Sequence, residues 1–112
     1  MRSFAMALDL VDDPVRIAEY DAHHRHVWPE VRSGLLAIGI TRMRIYRCGS
    51  RLFMTFEAPD DFDPDRDYQG YAEDPRCREW DALMRSYQRQ VPAASETAWW
   101  TPMTLVFDLE SD

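Results

Sequence analysis

Glycine, cysteine and positive charge are all scarce in this sequence. Among 112 residues there are four glycines and two cysteines, and 20 acidic side chains against 13 basic ones leave a net charge of -7. With so few glycines, no glycine-rich loop that cradles a phosphate can be written. The negative charge repels nucleic acid and anionic membranes, so neither is an expected partner.

Long apolar runs and cysteine motifs are also missing. No run approaches the roughly 18 residues that span a bilayer, and the N-terminus lacks the apolar core of a signal peptide. Cys48 and Cys77 form no metal-ligand spacing, so we expect a reduced, cytoplasmic protein. What is present, 46% hydrophobic and 12% aromatic residues, is typical of one globular domain over residues 1–112. A domain of this size would gain stability by burying more surface as an oligomer.

Hydrophobic spacing in the first third of the chain predicts a strand followed by a long helix. Apolar residues alternate over residues 4–10, which is the period of a half-buried strand. From Pro14 to Leu35 they recur every three or four residues, as on one face of a helix. Pro29 cannot donate its amide hydrogen bond, so we expect a kink or restart near Trp28.

The rest of the chain completes a ferredoxin-like βαββαβ order in an α+β protein. We predict a hairpin of strands 42–47 and 51–57, a solvated acidic loop at 57–67, a helix from Pro75 that stops before Pro92, and a strand over 103–109. This order places an antiparallel sheet beneath two helices and leaves its other face uncovered. Two such sheets packed together would form a dimeric α/β barrel, a symmetric homodimer. Two helices of one small domain cannot hide all of the large apolar residues Phe4, Met6, Phe53, Met103 and Phe107.

Three candidate site residues follow one another at steps of four in the first helix. Tyr20, His24 and Trp28 would lie along the face directed at the sheet. Imidazole has an unperturbed pKa of about 6.5, suited to proton transfer near neutrality, and the tyrosine hydroxyl can donate or accept beside it. An aromatic ring such as Trp28 or Trp80 can lie against the apolar face of a ligand. The alternative from spacing alone is that His24 is a hydrogen-bonded core histidine and that the aromatic rings only pack in the core.

The neighbouring histidines and aspartates raise the question of a metal site. His23 and His26 could share a helical face, but no second cluster of histidine or cysteine follows downstream. We therefore expect both to be solvated. The acidic stretch lacks the glycine and terminal glutamate of an EF-hand, and Pro64 interrupts it. No metal or other cofactor is expected.

The segment from Glu19 to Val31 resembles the L-rhamnose mutarotase family. The family pattern is a tyrosine, a histidine four residues on and then Trp-Pro-Glu, present here as Tyr20, His24 and Trp28-Pro29-Glu30. The similarity covers nearly the whole chain, and the further matching positions are Gly39, Ile45-Tyr46, Leu52-Phe53, Glu57, Cys77, Trp80 and Met84. It implies a dimeric α/β barrel that interconverts the α and β anomers of a 6-deoxyhexose without cofactor or metal.

The resemblance also implies roles for individual residues. His24 would give a proton to a sugar oxygen, while Tyr20 would position the sugar or relay the proton. The residues expected to bind the sugar are Trp28, Met43, Tyr46, Trp80 and Asp81.

Two departures from the family pattern bear on the sugar. Met43 stands where the rhamnose enzymes have a tyrosine, and Asp81 stands where they have a second tryptophan. If Asp81 faces the pocket rather than solvent, it offers an acceptor for sugar hydroxyls, which favours L-fucose over L-rhamnose. The pair Trp99-Trp100 lies outside the pattern and could form a new pocket wall or a packed loop.

Two other functions remain open at this point. Dimeric α/β barrels include cofactor-free monooxygenases and haem-handling proteins, because a fold does not fix a function. A non-catalytic sugar-binding or scaffold protein is the third possibility. Bound haem or oxygen-dependent turnover would favour a monooxygenase or haem-handling protein. Anomer exchange insensitive to substitution of His24 would favour a non-catalytic protein.

Overall fold

The fold of this chain is seen in a computed structural model that describes residues 1–110. It confirms an α+β protein of one antiparallel sheet and four helices. The elements in chain order are β1 (Arg2–Leu10), α1 (Pro14–His24), α2 (Pro29–Ala37), β2 (Thr41–Cys48), β3 (Arg51–Ala58), α3 (Pro64–Tyr71), α4 (Pro75–Arg85), β4 (Gln88–Arg89) and β5 (Thr101–Pro102).

The sheet has the strand order β2-β3-β1-β4, with β5 pairing β1 as well. Strands β1 and β3 pair along almost their whole length, and the register sets Leu8 opposite Leu52 and Met6 opposite Met54. All four of these side chains are buried beneath the helices. Because side chains alternate along a strand, Phe53 lies on the opposite face, which no helix covers.

The predicted break in the first helix is confirmed. Helix α1 ends at His24 and α2 begins at Pro29, so four residues separate the two. Proline is favoured at the first helical position because it has no amide hydrogen to leave unpaired. The chain leaves α2 through Gly39 at φ +95, where a Cβ atom would lie 2.9 Å from the Pro59 ring.

The acidic stretch is not the open loop that we predict from its composition. Its second half forms α3, because Asp63 caps the helix by accepting the backbone N–H of Asp65 and Pro64 starts the first turn. The acidic side chains then sit near a helix N-terminus, where negative charge is favourable. The helix packs Tyr68 and Tyr71 against the core.

The prediction of a long last strand is wrong for this chain on its own. Only Thr101 and Pro102 pair with β1, and no regular element is described from Met103 to Glu110. The large apolar side chains of this segment, Leu105, Val106, Phe107 and Leu109, are each at least 74% exposed.

Of the five apolar residues that two helices cannot all hide, two lie on the helix side of the sheet. Phe4 and Met6 belong to a core cluster on the helix side, and Phe4 stacks on Phe56 with ring centroids 4.8 Å apart. Four helices rather than two cover this side, where Met6 is buried and Phe4 is partly buried. Phe53, Met103 and Phe107 are exposed as expected.

Candidate active site

A cavity of about 590 Å³ opens between the helix side of the sheet and the helices. Tyr20 and His24 reach it from α1, Met43 from β2, and Trp80 and Asp81 from α4. Five of the seven side chains predicted for the site thus line one cavity. A volume of this size suits a small organic ligand.

His24 is held in a defined orientation at this cavity. Its Nδ1 lies 2.9 Å from the backbone oxygen of Tyr20. A carbonyl oxygen can only accept, so Nδ1 carries the proton and Nε2 keeps its lone pair when the ring is neutral. The imidazole centroid is 4.4 Å from the Tyr20 ring and 5.6 Å from a ring of Trp80.

Burial sets the protonation of both groups. It lowers the pKa of His24, an effect that the hydrogen bond to the Tyr20 carbonyl only partly offsets. Burial also raises the pKa of Tyr20 to about 12. At neutral pH the site therefore holds a neutral imidazole with a free lone pair beside a protonated phenol, one group able to accept a proton and one able to donate.

Asp81 faces the cavity. The Tyr71 hydroxyl donates a hydrogen bond to its Oδ1 over 3.0 Å. Burial raises the pKa of the carboxyl, while the bond from Tyr71 and the charge of Arg85 act in the opposite direction. Its second oxygen makes no hydrogen bond within residues 1–110 and remains available to a ligand.

Trp28 and Tyr46 do not line this cavity, in contrast to the expected sugar contacts. Trp28 lies behind Trp80, with ring centroids 5.3 Å apart and the Arg76 guanidinium 3.9 Å above its own ring. It supports the cavity wall rather than forming it. Tyr46 pairs with Phe53 across the hairpin, is 52% exposed and lies on the uncovered face of the sheet. Its position next to Ile45 makes this unavoidable, because Ile45 points to the helices.

Much of the opposite wall of the cavity comes from residues that the sequence pattern does not single out. Helix α3 supplies Tyr68 and Tyr71, and Met84 and Gln88 complete the lining. Tyr68 and Tyr71 could not be assigned to a helix that begins inside the stretch 57–67, because its composition predicts a loop. The pair Asp63-Pro64 was the available signal, since an aspartate followed by proline also starts α1 and α4.

Trp99 and Trp100 form part of the cavity wall. Trp100 also packs against both core clusters. The segment is held by the Gln90 side-chain amide, whose nitrogen donates towards three backbone oxygens of residues 95, 96 and 98 at 2.6 to 3.1 Å.

The other two histidines lie outside this arrangement. His23 is half-buried and therefore only partly exposed to solvent, with Nε2 3.3 Å from the Tyr87 hydroxyl. His26 is exposed as predicted. In the part of the chain that the structure describes, no three His, Cys, Asp or Glu side chains are grouped closely enough to hold a metal ion. No helix over the same residues is both long and apolar enough to cross a membrane.

Comparison with known proteins identifies the family. The family model described as L-rhamnose mutarotase matches residues 3–109. The chain belongs to the L-rhamnose mutarotase family. An L-fucose mutarotase of Xanthomonas campestris is 37% identical to it over 97% of this chain and 89% of that protein. A UPF0734 protein of Dictyostelium discoideum is 47% identical over 97% of this chain and 90% of its own length.

Two solved structures have the same fold as this chain. An L-rhamnose mutarotase from Formosa agariphila superposes with a TM-score of 0.70 at 20% identity, covering 98% of this chain and all of the other. The tetracenomycin F2 cyclase of Streptomyces glaucescens gives 0.65 at 21% identity and covers both chains completely. Proteins with different activities share this fold, so the fold alone does not select the mutarotase chemistry.

Proposed function

We propose that this protein is a 6-deoxyhexose mutarotase that uses His24 and Tyr20 as its acid and base and prefers L-fucose. The observation that supports it most is the neutral, oriented imidazole of His24 beside the Tyr20 phenol in an aromatic cavity. Interconversion of anomers needs two proton transfers at neighbouring oxygens of one small sugar. This pair of side chains offers one acceptor and one donor at that spacing.

Ring opening would begin at the anomeric hydroxyl. His24 Nε2 takes the proton from the anomeric oxygen, the bond between C1 and the ring oxygen breaks, and the ring oxygen receives a proton from the Tyr20 hydroxyl. The product is the open-chain aldehyde. Because the phenol pKa is raised to about 12, Tyr20 then recovers its proton readily when the ring closes.

Ring closure would reverse these transfers after rotation about the C1–C2 bond. The C5 hydroxyl returns its proton to Tyr20 and attacks C1 from the other face of the aldehyde. The protonated His24 now gives its proton to the aldehyde oxygen, which becomes the new anomeric hydroxyl. His24 is thus the proton donor to a sugar oxygen in this half of the reaction.

Aromatic side chains would hold the sugar ring. Trp80 is buried against Trp28 and faces the cavity. An indole ring packs against the apolar C–H face of a sugar. Trp99 and Trp100 from the C-terminal segment provide further aromatic surface.

Asp81 and Met43 support L-fucose rather than L-rhamnose as the preferred sugar. The two sugars share the C6 methyl group and differ in configuration at C2 and C4. Asp81 presents a carboxylate oxygen to the cavity, while Met43 offers no hydrogen-bond donor there. Similarity to an L-fucose mutarotase at 37% identity supports the same choice.

Two-dimensional NMR exchange spectroscopy tests the sugar preference. We expect the protein to accelerate anomer exchange of L-fucose more than that of L-rhamnose at equal concentration. Asp81→Asn should lower the L-fucose rate by about tenfold, the expected effect of losing one hydrogen bond to a charged group. The asparagine keeps an oxygen for the Tyr71 hydroxyl, so the fold should be retained.

Asp12→Asn serves as the matched control, since Asp12 is exposed and does not line the cavity. Faster exchange of L-rhamnose, or an L-fucose rate indifferent to Asp81→Asn, would contradict the proposed sugar. Absence of accelerated exchange for both sugars would contradict the proposed activity and favour a sugar-binding protein without catalysis.

A further inference from the structure

A second cavity of about 620 Å³ adjoins the first one at the catalytic pair. Its remaining walls come from the junction between α1 and α2 and from β2. Tyr20, His24 and Met43 line both cavities. The His24 imidazole therefore stands at the boundary between an aromatic pocket and a second groove.

Positive charge is concentrated in this second groove. Its lining includes Arg25, Arg32, Arg42 and Arg47, and its one acidic residue is Asp21. Asp21 is already neutralised by Arg47, which donates to both carboxylate oxygens over 3.0 and 2.7 Å. We call these four arginines and the surface between them the arginine groove.

Two of these arginines have no partner within residues 1–110. Arg42 forms an ion pair with Glu57 at 3.3 Å, whereas Arg25 and Arg32 make neither an ion pair nor a side-chain hydrogen bond there. The whole protein carries a net charge of -7. A local excess of unpaired guanidinium groups in an acidic protein attracts an anion.

The backbone at Arg42 supplies a second observation. Arg42 has φ +52 and is the one non-glycine residue with positive φ between residues 1 and 110. It lies where the pairing of β2 with β3 shifts register between Thr41 and Arg44. Strained residues and β-bulges of this kind are concentrated at binding sites, where a bulge redirects a side chain.

We propose that the arginine groove binds the phosphate of a sugar phosphorylated on its anomeric oxygen. The proposal rests on the proposed function, which places the anomeric carbon at His24. With the sugar ring in the aromatic cavity, a substituent on the anomeric oxygen would extend across the boundary into the groove. Guanidinium groups bind phosphate oxygens through charge-assisted hydrogen bonds.

Such a ligand would be an inhibitor rather than a substrate. Its anomeric oxygen is esterified and has no proton for His24 to remove, so the ring stays closed. Kinases that act on the anomeric oxygen of a free sugar form this class of compound. Their product would then slow the enzyme that supplies the correct anomer.

Binding can be measured by calorimetry, which does not depend on turnover. The probes are both anomers of L-fucose 1-phosphate, the uncharged methyl L-fucosides and inorganic phosphate. We expect at least one sugar phosphate to bind about tenfold more tightly than the methyl glycoside of the same anomeric configuration. The double variant Arg25→Gln/Arg32→Gln should abolish this difference.

Arg44→Gln is the matched control. Arg44 is in the same strand as Arg42 but pairs with Thr55 and lines neither cavity, so this variant should keep both the affinity difference and the exchange activity. Circular dichroism of each variant checks that the fold is retained.

Equal affinity for sugar phosphate and methyl glycoside, or a preference for the phosphate that survives in the folded double variant, would overturn the proposal. If inorganic phosphate binds as tightly as the sugar phosphate, the groove is an anion site independent of the sugar. That result would overturn the proposal that one ligand occupies both cavities. Failure of the proposed function is distinguishable, because it would appear as absent exchange of the free sugar in the NMR experiment, whatever the calorimetry of the sugar phosphate shows.

Discussion

His24 is suited to proton transfer because one of its two ring nitrogens is already occupied. The Tyr20 carbonyl holds Nδ1, which leaves Nε2 free to exchange a proton with a ligand. The residue that fixes the tautomer lies one helical turn earlier on the same helix. The His24 side chain and the Tyr20 carbonyl that orients it therefore belong to one helix, and the orientation of the imidazole does not depend on a loop.

The pH profile of exchange should show the state of this imidazole. Burial lowers its pKa, with the charge of His23 acting in the same direction and that of Asp21 opposing it. The neutral ring should thus persist below the ordinary pKa of about 6.5. We expect the catalysed rate to stay level from neutral pH into mildly alkaline solution and to fall on acidification, with a midpoint below about 6.5.

The profile is obtained by subtracting the spontaneous exchange of the free sugar at each pH. No alkaline decrease is expected near neutrality, because the pKa of Tyr20 is raised to about 12. A rate that rises as His24 becomes protonated would contradict its role as the base in ring opening.

Spacing along one helix made part of the site predictable. Tyr20 and His24 are four residues apart, and their contact follows from helical geometry alone. The contact between Tyr71 and Asp81 joins two helices, so it depends on how α3 turns into α4. Nothing local in the sequence encodes that packing. Tyr46 shows the limit of family resemblance, since its place in the strand sets it on the other face of the sheet.

Three of the four helices begin with an aspartate followed by proline. Asp13, Asp63 and Asp74 each accept a backbone N–H of the first turn. The aspartate satisfies an otherwise unpaired donor, and proline removes another. This local device fixes where each helix starts, and through α3 it fixes the position of one cavity wall.

Removing the cap of α3 should therefore affect both stability and the site. Asp63→Ala is expected to lower the free energy of unfolding by about 1 kcal/mol and to slow exchange, because Tyr71 on this helix positions Asp81. Asp61→Ala is the control, since its side chain makes no hydrogen bond or ion pair within the described residues.

Urea denaturation and exchange spectroscopy on both variants check this expectation. An Asp63→Ala protein as stable and as active as Asp61→Ala would show that α3 does not need its cap.

Strongly periodic elements such as β1 and α1 were predictable from hydrophobic spacing. Helix α3 was obscured because its charged residues outnumber its apolar ones, although its start signal was present.

The whole molecule has apolar surface that a single copy leaves exposed. Phe53 and Tyr46 lie on the uncovered sheet face at 37% and 52% exposure, and Leu105 and Phe107 beyond β5 are at 75% and 74%. A small domain with such a surface gains by pairing it with another apolar face. We propose a symmetric homodimer formed through this side of the sheet.

Light scattering after size-exclusion chromatography tests the dimer. We expect a mass twice the 13.2 kDa of one chain and a shift to the single-chain mass for Phe53→Glu, which places a charge on the proposed interface. Val15→Glu, at an exposed position of α1, should remain dimeric. A wild-type mass of one chain at micromolar concentration would contradict the proposal.

We propose that His24 transfers the protons of anomer exchange. The most direct measurement is two-dimensional NMR exchange spectroscopy of L-fucose with wild-type protein, His24→Ala, Tyr20→Phe and the control His26→Ala, whose histidine is exposed two residues away. We expect His24→Ala to lose the catalysed exchange, about 10²–10⁴-fold, Tyr20→Phe to lose less, and His26→Ala to retain the wild-type rate. A folded His24→Ala protein that exchanges the anomers as fast as wild type would contradict this role of His24.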